Sequence, residues 1–478
     1  MSKKLLKNLD VSPSMTDADF LYGRSTSAGK NVKFPVSLLL GDGYACRRWN
    51  QDHSTPVGEA VGNIDYLRNL PSLLGLGCYL VDDAHNRRKL DPTNHYKLAT
   101  GETARLDGTM GQYMWGTRTP FYIAIWNEGS YQYKAASLKP IPGKENYRIP
   151  IFSVAAGHAG IMDRTNDKLC SVINTAAQYR GGNGAAIASG NASADNLSQL
   201  GYPATEIGIS TFEAKAAKRG IGWGAGWGWI ETVIELLFEI IMGTQHCQTA
   251  FNATKDANGL FQGGLGAGIS GMPSWDAYNG YHPVVPYSAG VDLADGVGVV
   301  NYPVKNSAGT TVYTAPIPVF FGLKNLYGHL WVGKNRIIAK KASDGSYDFY
   351  VAKSSKTPWD YSDTANMLYV GSLGARAEAG WDYISKMNFN GLAGVPSECA
   401  GTSSTYYADG AYRDIATSGF RSPLGSGSAY NGAVLAWRAS MVTMRPRMPL
   451  RTCRRPSAKR PMILIRFRLS CRRRLEVM

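Results

Sequence analysis

The chain has 478 residues, of which 18% are charged and 44% hydrophobic, with a net charge of +15. A high pI invites a nucleic-acid reading, but residues 438–478 hold 13 Lys/Arg and one acid, Glu476, and so supply +12 of that charge. Residues 1–437 are nearly balanced, 38 basic against 35 acidic, which excludes a generally cationic body. The length allows a sizeable core and suggests two or three domains. The 54 glycines and 27 tyrosines suit loop-rich β structure and surfaces that bind through rigid amphipathic rings.

Residues 1–40 are polar and end in the apolar run Phe34–Leu40, which reads as an arm closing with one docking strand. Its start, Met1–Leu6, has neither the apolar stretch nor the cleavage site of a secretion signal. From Gly41 to Arg148, turn signals alternate with short segments. The run Phe121–Trp126, the turn Asn127-Glu-Gly129 and the alternating Ser130–Lys134 predict a hairpin. Three helices are expected. Asn166–Tyr179 carries Leu169, Val172 and Ile173 at helical spacing, Ser210–Arg219 opens on a Ser/Thr cap, and Trp227–Gly243 has an apolar stripe from Ile230 to Ile241. The last is too short and too rich in glutamate to cross a bilayer. Beyond Gly259 the pattern predicts short strands at Val284–Val285, Val297–Val300, Thr311–Thr314, Val319–Phe321, Leu330–Val332 and Tyr347–Val351. Strands and helices are segregated, so the expected class is α+β.

Catalytic and metal motifs are weak. The seven cysteines are scattered without a Cys-x-x-Cys pair, and the seven histidines lack His-x-x-x-His spacing. The glycine-rich Arg180–Gly184 and Gly263–Gly268 precede no Lys-Ser/Thr. Asp82-Asp83 and Asp292–Asp295 offer oxygens for calcium without the regular spacing of a dedicated loop. No cofactor is expected, with calcium the one open option.

Two segments carry a family likeness. Phe321-Gly-Leu-Lys-Asn-Leu-Tyr-Gly-His-Leu-Trp331 resembles the Gly-Leu-x-Asp-Met-x-Gly-Asn-Val-Trp segment of the formylglycine-generating-enzyme branch of the C-type-lectin fold, departing at Asn325, Leu326, His329 and Leu330. Gly391–Pro396, Ser403–Asp409 and Gly419–Ala433 resemble the carboxy-terminal part of phage tail receptor-binding proteins diversified by retroelements, the major tropism determinant class. That class shows Gly-Phe/Trp-Arg-x-Pro-Leu-x-Gly-Gly, where this chain has Gly425-Ser426-Gly427. The resemblance implies a C-type-lectin-like domain of short strands and few helices over residues 151–437, preceded by a β-rich region at 41–150 and a docking arm at 1–40. It also implies attachment to a host-surface protein or glycan, other tail proteins as neighbours, and a homo-oligomer of trimeric type. Synthesis would be in the bacterial cytoplasm, and residence in the virion and then outside the cell. Enzymatic activity is not implied, since the cysteine pair of the formylglycine generators has no counterpart in Cys247 and Cys399, and neither specific nucleic-acid binding nor membrane insertion is expected. A structural tail or baseplate role without receptor binding is the alternative.

The residues expected to touch the ligand are Tyr412, Ser426, Ser428, Tyr430, Asn431, Val434 and Trp437, a Tyr/Ser/Asn mixture of paratope composition. Tyr406 and Tyr407 read equally as rim or core. Past Trp437 the sequence changes character. Met and Trp codons end in G, so in the frame starting at each codon's third base Met441-Val442 becomes glycine and Met448-Pro449 alanine. With CG-type arginine codons, Trp437-Arg438 and Met444-Arg445 become alanine. Such small residues match the family at this point. Residues 438–478 therefore read as an out-of-frame, disordered basic tail, against the alternative of a genuine basic arm contacting phosphates.

Overall fold

The structure is a computed structural model. It describes residues 20–24, 31–35, 43–157, 160–180, 200–204, 209–226, 228–251, 254, 285–305, 310–327, 332–353, 361–390, 392–414, 418–426, 440–444 and 462–465. Over these the chain is a mixed fold, rich in strands with few helices. No helix among the described residues is long and apolar enough to cross a membrane. At the start, Phe20–Arg24 pairs antiparallel with Asn31–Pro35. Of the docking strand expected at Phe34–Leu40, only Phe34 and Pro35 fall in a strand, the rest lying outside the described residues.

The expected hairpin forms. Phe121–Glu128 pairs with Tyr131–Ser137, and Gly129 takes the left-handed turn position at φ 60°. It centres a five-stranded sheet whose other members are Tyr147–Ile149, Ala45–Asn50 and Glu59–Gly62. On one face Trp126 stacks on Tyr133, centroids 4.9 Å apart and ring planes nearly parallel. The other face turns Ile123 and Ala136 into the main core, together with Lys134.

Helix α1, Ile64–Leu74, was not foreseen. Asn63 caps it by accepting from the Tyr66 N–H at 2.9 Å, and Gly75 ends it at φ 61°. It buries Tyr66, Leu67, Leu70, Leu73 and Leu74. A seven-stranded sheet follows, in the order Trp223–Ala225, Met462–Ile465, Phe152–Ala155, Gln112–Gly116, Gly77–Val81, Arg87–Asp91, Asn94–Leu98. Gly77–Val81 and Gln112–Gly116 are buried along their whole length. Because Phe152–Ala155 pairs with Gln112–Gly116, the border drawn at residue 150 runs through this sheet, and one hydrophobic core spans both sides of it.

The helix expected over Asn166–Tyr179 is corrected. Ile161–Asp163 and Lys168–Cys170 form a hairpin, with Tyr179–Arg180 as a third strand. Leu169 packs into the main core while Cys170 and Val172 join a separate cluster with Ile161. Both faces of the strand are therefore covered, and the helical spacing of Leu169, Val172 and Ile173 is accidental. The other two helices form, as α2 (Ile209–Ala217) and α3 (Gly228–Met242). Helix α3 is buried on nearly every side rather than along one stripe. It packs between the five-stranded sheet and Ala393–Glu398, so it joins the amino- and carboxy-terminal halves. Its glutamates 231, 235 and 239, spaced by one turn, are all buried. Glu239 meets the buried Lys134 at 2.5 Å, and Glu235 lies 3.7 Å from Lys334.

The strands expected after Gly259 are observed at Val297–Lys305, Thr311–Phe320 and Tyr347–Ala352. Val285 is irregular, Val332 opens a short strand, and Val284, Leu330 and Trp331 lie outside the described residues. An eight-stranded sheet completes the fold, its path running Met367–Leu373, Tyr347–Ala352, Ile337–Lys341, Gly419–Gly425, Ser440–Met444, Gly410–Arg413, Gly380–Tyr383, with Val332–Gly333 beside Gly419–Gly425. The tail expected to be disordered is corrected at two places. Ser440–Met444 lies between Gly410–Arg413 and Gly419–Gly425, and Met462–Ile465 between Phe152–Ala155 and Trp223–Ala225. Met-Val-Thr-Met and Met-Ile-Leu-Ile are short runs of good strand formers, and each meets two strands with unpaired edges.

Candidate functional site

The late-loop rim foreseen from sequence is divided by the structure. Tyr412 stands in Gly410–Arg413, half-buried, with its ring 5.2 Å from that of Trp381 on the neighbouring strand. Ser426 is corrected from rim to interior. It is 3% exposed, at φ 65°, one residue past the end of its strand. Ser428, Tyr430, Asn431, Val434 and Trp437 lie outside the described residues. Tyr407 resolves to core, its hydroxyl accepting from Lys134 Nζ at 3.2 Å, while Tyr406 is half-buried and Ser404 exposed.

A second constellation was not visible in the sequence. Cys78, His95 and Asp295 form the one group among the described residues whose metal-ligand-type atoms all lie within 4.8 Å of one another. Cys78 comes from the strand Gly77–Val81, His95 from Asn94–Leu98, and Asp295 from the turn before Val297. Asp295 Oδ1 accepts from the Cys78 N–H and from His95 Nε2, each at 2.9 Å, while Oδ2 takes the Lys89 ammonium. A carboxylate so placed only accepts, so Nε2 carries the imidazole proton and the Tyr113 hydroxyl donates to Nδ1 at 2.6 Å. Burial holds His95 below its ordinary pKa and keeps it neutral. Two glycines make room. A Cβ on Gly77 would stand 2.1 Å from Asp295 Oδ2, and one on Gly322, at φ 85°, would stand 2.7 Å from Cys78 Sγ. Gly322 belongs to the Phe321–Trp331 segment, in which Leu323 and Leu326 are fully buried.

Soft and imidazole ligands of this kind suit zinc. Here, however, Lys89 occupies Asp295, and Lys324 lies beside the cluster over the Tyr113 ring at 4.4 Å. Burial pushes the Cys78 thiol far above its ordinary pKa, and Sγ donates to the Gly322 carbonyl at 3.5 Å, so it is not poised as a thiolate nucleophile. The arrangement works as a buried polar tie that fixes the turn at Asp295 to the central sheet. Of the acidic pairs weighed for calcium, Asp82 accepts from Ala84 N and from Asn86 N and Nδ2, and Asp83 is paired with Arg219. Comparison with known proteins finds no matching family model, no matching curated protein and no matching solved structure.

Proposed function

We propose that the chain is a phage or prophage tail receptor-binding protein, a non-enzymatic adhesin that displays a ligand-binding surface on a C-type-lectin-like scaffold. The observation that carries this reading is the meeting of the two segments that bear the family likeness. Val332–Gly333, directly after the Phe321–Trp331 segment, pairs antiparallel with Leu424–Gly425 at the end of the Gly419–Gly425 strand. Segments far apart in the chain thus become hydrogen-bonded neighbours, and the strand they share delivers the chain into residues 427–437. Gly419–Gly425 also pairs with Ile337–Lys341 and Ser440–Met444, which makes it a firm base for such a surface. The half-buried Tyr412–Trp381 pair on neighbouring strands adds aromatic area of the kind binding surfaces use. A trimer would multiply weak single-site contacts into firm attachment.

The test is binding of the fluorescently labelled full chain to a panel of intact gut bacterial strains. The wild type is expected to decorate at least one strain, and a variant carrying Ser428→Ala, Tyr430→Ala and Asn431→Ala to lose at least tenfold of that signal. Absence of binding to any strain, or equal binding by the variant, overturns the reading and leaves the structural tail role in its place.

A further inference from the structure

The tie around Asp295 places an amine against a carboxyl whose other oxygen is already held. Lys89 stands in the strand Arg87–Asp91, directly opposite Tyr79 in the ladder, and its Nζ lies 4.9 Å from the centre of that ring. Its ammonium meets Oδ2 of Asp295, 206 residues further along the chain. The Asp295 side chain is 7% exposed and that of Lys89 27%, so the contact is largely shielded from water. The backbone of Asp295 is fixed as well. Its N–H donates to the Pro92 carbonyl at 3.1 Å, in the turn that follows the strand of Lys89.

Gly77 keeps the contact open. It sits at φ 141°, and a Cβ there would overlap Lys89 Nζ together with Oδ2 and Cγ of Asp295. Amine and carboxyl carbon therefore share the one small space that the missing side chain leaves. On the far side of the carboxyl, Oδ1 accepts from the Cys78 N–H and from His95 Nε2, each at 2.9 Å. Two N–H donors converging on one oxygen are what stabilises negative charge on it when its carbon becomes tetrahedral. The Tyr113 hydroxyl, donating to His95 Nδ1 at 2.6 Å, keeps the imidazole proton on Nε2, where Oδ1 can use it. The neighbouring backbone nitrogen, that of Gly296, is already engaged, its N–H donating to the Leu293 carbonyl at 2.8 Å.

We propose that Lys89 and Asp295 join in an isopeptide bond, which the folded chain forms by itself. The ion pair already holds every atom needed. One proton passes from the Lys89 ammonium to Oδ2, and the freed amine attacks Cγ. The charge that develops on Oδ1 is met by the Cys78 N–H and by His95 Nε2–H. A second proton then moves from Nζ to Oδ2, the Cγ–Oδ2 bond breaks, and one water leaves. The Nζ–Cγ amide remains, with nothing oxidised or reduced. Separate amines and carboxylates do not condense usefully in water, but a pair fixed in reacting geometry has an effective concentration on the order of 10⁵–10⁸ M. The bond ties the strand Arg87–Asp91 covalently to the turn that opens the long hairpin Val297–Phe320. It is internal to the chain, so it stands or falls apart from the attachment role.

The experiment is mass spectrometry of the intact, denatured full chain, followed by tryptic digestion. The wild type is expected to be one water lighter than its sequence and to yield a branched peptide joining the segments that hold Lys89 and Asp295. Lys89→Arg and Asp295→Ala are each expected to show the full mass of their own sequence. The branched peptide is read from the wild type alone, so the result does not depend on how well either variant folds. A wild-type mass equal to its sequence overturns the proposal and leaves a plain ion pair. So does a loss of water that persists in Lys89→Arg, the mark of Asp295-Gly296 closing to a cyclic imide, or a branch that excludes either residue.

Discussion

Replacing Lys324 with methionine removes an amine that the fold holds in an unfavourable place. The residue is 1% exposed, its Nζ donating to the Tyr287 carbonyl at 3.2 Å. Burial, the dominant cause, lowers its pKa from 10.5 to about 7, with Asp292 acting weakly the other way. Between those two values the unfolded chain binds one proton more than the folded chain, so unfolding free energy rises with pH. At about 1.4 kcal/mol per pH unit, and with the folded group half-protonated at the lower end, the rise from about pH 7 to about pH 8.5 is roughly 1.5 kcal/mol. The difference between wild type and variant across that window isolates Lys324. His95, lowered from 6.5, contributes its own rise only at lower pH. The buried thiols, such as Cys46 pushed up to about 12, oppose it only once unfolded thiols ionise near the ordinary value of 9.0. Urea midpoints followed by tryptophan fluorescence are expected to climb across the window in the wild type and to stay level in Lys324→Met, which keeps an unbranched chain of similar bulk. A flat or falling wild-type profile, or the same climb in the variant, refutes the reasoning.

The Lys134–Glu239 pair joins the five-stranded sheet to helix α3 at full burial. Glu239→Leu alone strands the ammonium and is expected to cost about 3–5 kcal/mol, whereas Lys134→Met combined with Glu239→Leu returns close to wild type. A double-mutant cycle on urea midpoints checks both statements. Truncation after Trp437 removes Ser440–Met444 and Met462–Ile465 and uncovers strand edges in both large sheets. Light scattering is expected to show aggregation that the full chain does not. The coding DNA, read from the third base of each codon past Trp437, is expected to give an open stretch rich in small residues, and an early stop there removes the frameshift account.

Local signals carried the reading wherever local physics decides structure. Alternation around Asn127-Glu-Gly129 was enough for the hairpin, and the apolar spacing of Ile230, Val233, Ile234 and Leu237 was enough for α3. Helix α1 had its cap in Asn63, its stripe and its Gly75 stop, but Pro71 inside the run obscured the pattern. Lys168–Cys170 misled because a strand covered on both faces has no clean period of two. The glutamates of α3 argued correctly against a membrane span, yet nothing in their spacing told that they point into protein. Cys78, His95 and Asp295 are joined only by topology, across as many as 217 residues, so no motif reveals them.

The position of Met462–Ile465 has a bearing on biosynthesis. It fills an interior place in the seven-stranded sheet, flanked by strands made far earlier, at Phe152–Ala155 and Trp223–Ala225. A nascent polypeptide can assemble most of its layers during translation, but this gap stays open until Met462–Ile465 has left the ribosome. A chain that stops before residue 462 therefore leaves Phe152–Ala155 and Trp223–Ala225 without the strand that joins them.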